Sequence, residues 1–220
     1  MTCVAGVYRS MLRTGNRTFF LLPGFLLAVM LLASGATSVE SAKPEGDPSL
    51  TGKLLVAAPE MSDPRFVETV IYIVRDDREG TLGLVINRPL ARGSLQDLLK
   101  GFGAEADDLK GEIVLHYGGP VSPNRGFLLH TDEVTSTDTV KVKDGLAMSS
   151  DIDILQAIGR GQGPKQYLFM IGYAGWAPGQ LRGELDAGAW YVVTVDKSLI
   201  FSKDAEHKWQ QAMDKRETPL

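Results

Sequence analysis

Gly172-Tyr173-Ala174-Gly175-Trp176-Ala177-Pro178-Gly179-Gln180-Leu181 is the stretch on which the reading of this chain turns. The apolar run Tyr167 to Ile171 before it has the composition of a buried strand, and Leu181-Arg182-Gly183-Glu184-Leu185 after it has helical spacing. Glycine reaches φ > 0 and leaves room for close backbone approach, so two glycines around a Tyr and a Trp predict a strand-to-helix corner beside large aromatics.

Upstream, Lys53 to Ala58 reads as a short strand, and Asp63-Pro64 marks a turn. Phe66 to Val74 is rich in β-branched and aromatic residues and predicts a central strand; Arg75 to Gly80 predicts a hairpin turn, with Thr81 to Asn87 as the partner strand. Ser94 is the expected N-cap of a short helix, with Asp97 in its first turn. Residues 101–110 form an acidic loop. Glu112 to His116 and Phe127 to His130 predict strands around Gly118-Gly119-Pro120-Val121. Ser149 or Ser150 is expected to cap a helix with an apolar face of Ile152, Leu155 and Ile158. A helix near 178–188, a strand over Trp190 to Val195 and a helix over Ala205 to Met213 complete the pattern. Hairpins mixed with helices, without a strict βαβ rhythm, predict an α+β fold. Its sheet is expected to be largely antiparallel and barrel-like, flanked by short helices.

Residues 1–36 differ from the rest. Arg9, Arg13 and Arg17 precede the apolar run Phe19 to Ala33, and Ala33-Ser34-Gly35-Ala36 follows it. That order predicts a secretory signal peptide cleaved after Gly35 or Ala36. An uncleaved signal-anchor and synthesis starting at Met11 or Met30 are the alternatives. The first places the domain outside the cytoplasm, the second at the membrane and the third in the cytoplasm. Residues 37–49 read as a flexible linker, 50–213 as a single domain and 214–220 as a tail. Cleavage would move the formal charge from −4 to −7 and remove Cys3, the single cysteine. The mature chain would then have no disulfide, thiol nucleophile or cysteine metal ligand. The acidic balance opposes nucleic acid as a partner.

With the strands and turns placed, the chain from about Leu50 to Met213 resembles the AlgH/YqgE family of bacterial proteins. The matching stretches are Leu50-Thr51-Gly52-Lys53-Leu54-Leu55, Asp63-Pro64-Arg65-Phe66, Gly83-Leu84-Val85-Ile86-Asn87-Arg88-Pro89, Gly118-Gly119-Pro120-Val121, Arg125-Gly126-Phe127-Leu128-Leu129-His130-Thr131 and Gly172-Tyr173-Ala174-Gly175-Trp176. The resemblance implies a compact α+β fold with a barrel-like sheet. It also implies a family without an established enzymatic activity, linked in one bacterial lineage to regulation of alginate exopolysaccharide production. Its members normally begin near the Leu-Thr-Gly-Lys segment, so the extra N-terminus here is a departure.

The residue chemistry assigns no catalytic residue, metal or cofactor. His116 and His130 read as ordinary strand histidines, because a metal site needs three or four converging ligands. Ser149-Ser150-Asp151 lacks a Gly-x-Ser-x-Gly frame and reads as helix capping. Gly159-Arg160-Gly161-Gln162-Gly163-Pro164 follows a helix, the reverse of a phosphate cradle, and reads as a helix stop. One polar set stands out at predicted strand ends and corners: Asp63, Arg65, Asn87, Arg88, Arg125, Tyr173, Trp176 and Gln180. Two readings of it stand. The residues either line a shared groove for a small anionic ligand or a protein partner, or they hold turns in place. The leading function is therefore a non-enzymatic regulatory or binding protein. The alternative is a small-ligand carrier or an enzyme using a groove of Arg65, Arg88, Arg125 and Trp176. A membrane is a partner only through an uncleaved N-terminus.

Overall fold

The computed structural model describes residues 48–194 and 197–216, so the expected signal segment and nearly all of the linker lie outside the described residues. The strands are β1 (Leu54–Ala57), β2 (Val70–Asp77), β3 (Gly80–Val85), β4 (Pro89–Ser94), β5 (Glu112–Tyr117), β6 (Val121–Thr131), β7 (Val140–Lys141), β8 (Leu146–Ser149), β9 (Tyr167–Trp176) and β10 (Trp190–Val193). The helices are α1 (Leu95–Gly101), α2 (Ile152–Gly159), α3 (Gln180–Asp186), α4 (Lys197–Ile200) and α5 (Lys208–Asp214).

β9 organises the sheet. β6 runs antiparallel to it, with Leu128 opposite Phe169 and Val121 opposite Tyr173. Two further strands divide its length. β5 lies parallel against Phe169 to Ile171, and β3 lies antiparallel against Ala174 to Trp176. From β3 the order continues through β2 and β1 to β10; from β6 it continues through β8 to β7; β4 hangs on β5. The sheet is mixed but largely antiparallel, and short helices accompany it. It is not closed: β10 pairs with β1 and β7 with β8, and no ladder joins these ends among the described residues. The barrel-like expectation is corrected accordingly. β9 shares one edge between β3 and β5, so the sheet branches there.

The branch point is built from glycine. Gly118 N–H donates to Ile171 O at 2.8 Å, and Gly118 O accepts from Val85 N–H at 3.0 Å, tying three strands together. A Cβ on Gly119 would stand 2.1 Å from the Tyr173 carbonyl carbon, and one on Gly172 would stand 2.3 Å from Gly119 O. Gly172 has φ 71°. No side chain fits where these two backbones cross.

Several boundaries differ from the sequence reading. The opening stretch is strand as far as Trp176, held extended by pairing with Thr81 to Gly83. The corner itself is Ala177 to Gly179, and Gly179 (φ 77°) starts α3. The central strand begins at Val70 rather than Phe66, because Asn87 and Arg88 bond the 67–70 segment into a turn in which Glu68 has φ 50°. Strands β4, β7 and β8 have no counterpart in the sequence reading. β4 is exposed along its whole length, so burial writes no apolar alternation into it. Ser94 Oγ accepts Asp97 N–H as expected, but Asp151, not Ser149 or Ser150, is the N-cap of α2.

The core has three parts. Val56, Tyr72, Leu84, Leu129 and Met170 pack with Leu199 and Met213 of α4 and α5. Ile71, Ile73, Val85 and Trp176 pack with Leu181 of α3 and with Trp190. Leu128 and Phe169 pack with Leu95 and Leu99 of α1 and Ile154 and Leu155 of α2. Lys208 is buried among these groups, and its Nζ donates to Ile86 O (2.9 Å) and Ile200 O (2.8 Å). Burial holds its pKa down at about 8.

Candidate functional site

The eight residues singled out by sequence fall into three groups. Asp63 and Arg65 pair with each other through a side-chain fork, closest at 2.6 Å, and the Arg65 guanidinium lies over the Phe66 ring. The bond from Arg65 is the main cause that lowers the pKa of Asp63. Nearby, Asn87 Oδ1 accepts Val70 N–H and its Nδ2 donates to Glu68 O. Arg88 donates to Val67 O at 2.6 Å and to Thr69 Oγ1 at 2.9 Å. These bonds fasten the turn before β2.

The second group surrounds Glu184. Its Oε2 accepts the indole N–H of both Trp176 and Trp190 at 2.9 Å, and its Oε1 accepts from Gln180 Nε2 at 3.0 Å. Gln180 Oε1 caps the corner by accepting Ala177 N–H. The two indoles meet edge to face with centroids 6.1 Å apart. Trp176 is buried, and its polar atom is fully used inside the fold.

The third group is open. The β6–β9 register passes from Val121 opposite Tyr173 to Gly126 opposite Ile171. Residues 122–125 therefore stand where β9 supplies only Gly172, and they are pushed out to the surface with Ser122 at φ 50°. Arg125, the last of them, lies over the Phe127 ring at 5.4 Å. Phe127 in turn meets Tyr173 edge to face at 5.8 Å. The Arg125 guanidinium donates to Ser150 Oγ at 3.0 Å and pairs with no carboxylate among the described residues.

A cleft of about 200 Å³ opens beside Arg125, between β6 and the start of α2. Phe102, Leu128, Ile152, Leu155 and Phe169 give it apolar walls; Arg125, Ser149, Ser150 and Asp151 give it polar ones. Gly126 keeps the wall thin, since a Cβ there would meet the Phe169 ring at 2.9 Å. Of the polar lining residues, Ser150 is held by Asp138, whose Oδ2 accepts from both its N–H and its hydroxyl. Burial raises the Asp138 pKa, but the bonds from Ser150, Ser136 and the Asp151 backbone outweigh it and the net shift is downward. Arg65, Asn87, Arg88, Trp176 and Gln180 are not among the cleft's lining residues. Of the set, Arg125 lines the cleft and Tyr173 backs it through Phe127, while the side chains of the others bond within turns and core.

The sequence reading set Ser149 and Ser150 aside as helix caps, and it missed the aromatic walls. Ser149 is buried, with its Oγ 2.9 Å from His130 Nε2 and 2.7 Å from Thr139 Oγ1. Ser-Ser-Asp ahead of a helix was the available signal, and capping absorbed it. His116 is also buried, with Nδ1 3.1 Å from Phe169 O, and burial lowers its pKa. Among the described residues no three His, Cys, Asp or Glu side chains gather as a metal-binding group.

The family model of the AlgH-like proteins, DUF179, matches residues 54–220. The chain belongs to the AlgH-like family. A UPF0301 protein of Methylococcus capsulatus is 42% identical over 177 residues, covering 80% of this chain and 97% of that protein. A UPF0301 protein of Rhodospirillum rubrum is 41% identical over 164 residues, covering 74% and 85%. Among solved structures, the AlgH protein of Pseudomonas aeruginosa superposes with a TM-score of 0.65 at 34% identity, covering 79% of this chain and 92% of that one. Protein DIP2367 of Corynebacterium diphtheriae shares the fold with a TM-score of 0.59 at 20% identity. The names of these AlgH-like relatives carry no activity.

Proposed function

We propose that this AlgH-like chain is a small-ligand-binding protein whose site is the cleft between β6 and α2, and that occupancy of the cleft serves a regulatory role. The ligand is a small anionic compound with an apolar body. One observation carries this reading: Arg125 is a guanidinium with no carboxylate partner among the described residues, beside a cavity with aromatic and aliphatic walls. Such a site fixes an anion by charge and hydrogen bonds and its body by burial. The volume is below the roughly 300–1,000 Å³ of pockets for drug-sized molecules, which restricts the ligand to a small one.

The test is a melting-shift screen of carboxylates and phosphates carrying aryl or branched alkyl groups. A ligand at about a hundred times its Kd stabilises by about 2.7 kcal/mol, a shift of several degrees in a domain of this size. The shift is expected to disappear in Arg125→Ala and to survive in Arg65→Ala. A shift that survives Arg125→Ala, or none across the panel, overturns the reading and favours a protein partner.

Export through residues 1–36 belongs to the same proposal, because compartment decides which ligands the cleft meets. Among the described residues no helix is long and apolar enough to cross a membrane. Mass spectrometry of the native N-terminus tests export. A chain beginning after Gly35 or Ala36 supports it, and one beginning at Met11 or Met30 rejects it.

A further inference from the structure

Ser149 lines the cleft, yet anion binding gives it no task. It ends β8, immediately before Ser150 and the N-cap Asp151 of α2. Its hydroxyl belongs to a chain of hydrogen bonds whose proton directions can be assigned. His130 Nδ1 lies 2.9 Å from Thr131 O, and a carbonyl only accepts, so Nδ1 carries the proton. In the neutral ring Nε2 is then an acceptor, and the Ser149 hydroxyl 2.9 Å away donates to it. Behind Ser149, Thr139 Oγ1 accepts Ser136 N–H at 2.7 Å and lies 2.7 Å from Ser149 Oγ, towards which it can donate. Burial lowers the His130 pKa; the Thr131 carbonyl, Glu133, Asp132 and Asp138 pull the other way without overcoming it. The imidazole is therefore neutral near pH 7, with Nε2 unprotonated towards Ser149.

A serine bonded to a neutral imidazole, itself oriented by a third group, is an activated nucleophile. Here it stands at a strand-to-helix junction, on the wall of a cavity, with the positive end of the α2 dipole beside it. We propose that Ser149 and His130 form a nucleophile–base pair, and that the ligand of the cleft is an acyl ester whose acyl group Ser149 takes. This rests on the cleft reading above and names its ligand class.

Ser149 Oγ bonds to the ester carbonyl carbon while its proton passes to His130 Nε2. The carbon–alkoxy bond breaks, and the alcohol leaves with that proton. Water then attacks the acyl-serine and gives a proton to His130, which returns it to Ser149 Oγ as the carbon–Oγ bond breaks and the acid departs. Arg125 anchors the anionic group of the ester. Ser149 is 1% exposed, so access runs through the cleft and only compounds small enough to enter it react.

The test treats the full chain with a small alkyl fluorophosphonate and with short p-nitrophenyl esters, and locates adducts by peptide mass spectrometry. Labelling is expected on Ser149, slower by about a hundredfold in His130→Gln and absent in Ser149→Ala. No adduct at saturating probe, or an adduct only on another serine, overturns the pair. If either variant fails to fold, Ser149→Cys gives an independent measure. Iodoacetamide should alkylate Cys at this position at a pH below the free-thiol pKa of about 8.5, whereas an ordinary thiol profile overturns the pair. The two proposals fail separately. An Arg125-dependent melting shift without a Ser149 adduct overturns the pair and leaves the binding site. A Ser149 adduct with no melting shift from any anion supports the pair and removes the anionic ligand.

Discussion

The two ends of β9 carry similar residue types and do different work. At its C-terminal end Trp176 and the neighbouring Gln180 spend their hydrogen bonds on Glu184 and the corner backbone, and Trp190 completes the set. Nearer its N-terminal end Phe169 walls a cavity beside a guanidinium whose described polar partner is one hydroxyl. Aromatic and charged side chains at a strand end become scaffold when every polar atom finds an internal partner. They become a site when bonding capacity is left facing a void.

The comparison breaks most sharply at the glycine crossing. Gly119→Ala places a Cβ against the Tyr173 backbone and should cost more than about 4 kcal/mol, seen as loss of soluble protein or a collapsed denaturation midpoint. Gly161→Ala is the control: its φ is also positive, at 73°, but nothing lies within 4 Å of the added Cβ. It should cost only about 1–2 kcal/mol, the backbone penalty alone. Equal costs at the two sites would mean that the crossing is not close-packed.

Next in size is the Glu184 hub. Glu184→Ala strands two indole N–H groups and should lose about 2–3 kcal/mol in urea denaturation, with changed tryptophan fluorescence. An unchanged midpoint would remove the scaffold end of the comparison.

Lys208 gives a pH signature. Its folded pKa of about 8 lies below the unfolded value near 10.4. Between the two the unfolded chain binds more protons, so stability should rise as pH goes from about 8 towards 10. Above about 10 Tyr72, whose pKa burial raises, works in the opposite direction, because the unfolded tyrosine loses its proton first. Lys208→Met should flatten the rise between pH 8 and 10; an unaltered slope would assign it to other groups.

The smallest effect on stability is expected at the cleft. Arg125→Ala removes an exposed contact to Ser150 and should leave the denaturation midpoint nearly unchanged while abolishing ligand response. A large loss of stability would make Arg125 scaffold like the residues around Glu184.

These differences explain what could be read in the sequence. Buried strands announced themselves through Val70 to Val74 and Tyr167 to Ile171, where apolar side chains are obligatory. The crossing was visible as Gly118-Gly119 and Gly172, although their mutual contact was not. The Ser94 cap was legible because its partner lies three residues away. The cleft was not legible, because its parts come from α1, β6, β8, α2 and β9, separated by up to 67 positions between Phe102 and Phe169. Arg125 was noticed as a polar residue near a strand start, but only the register jump opposite Gly172 turns it outward. Arg65 and Arg88 carried the same signal, but their side-chain bonds go to Asp63, Val67 and Thr69, partners set by where residues 63–69 fold. Ser149 lies 19 positions from His130, and β8, which joins them, has no sequence signature of its own.

Backbone amide chemical-shift mapping during titration with an anion that raises the melting temperature decides whether the cleft between β6 and α2 is the binding site. Perturbations are expected at residues 124–128, 149–152 and 169, saturating together and absent in Arg125→Ala. Perturbations centred on Arg65, Arg88 and Tyr117, with the 149–152 amides unmoved, would contradict that assignment.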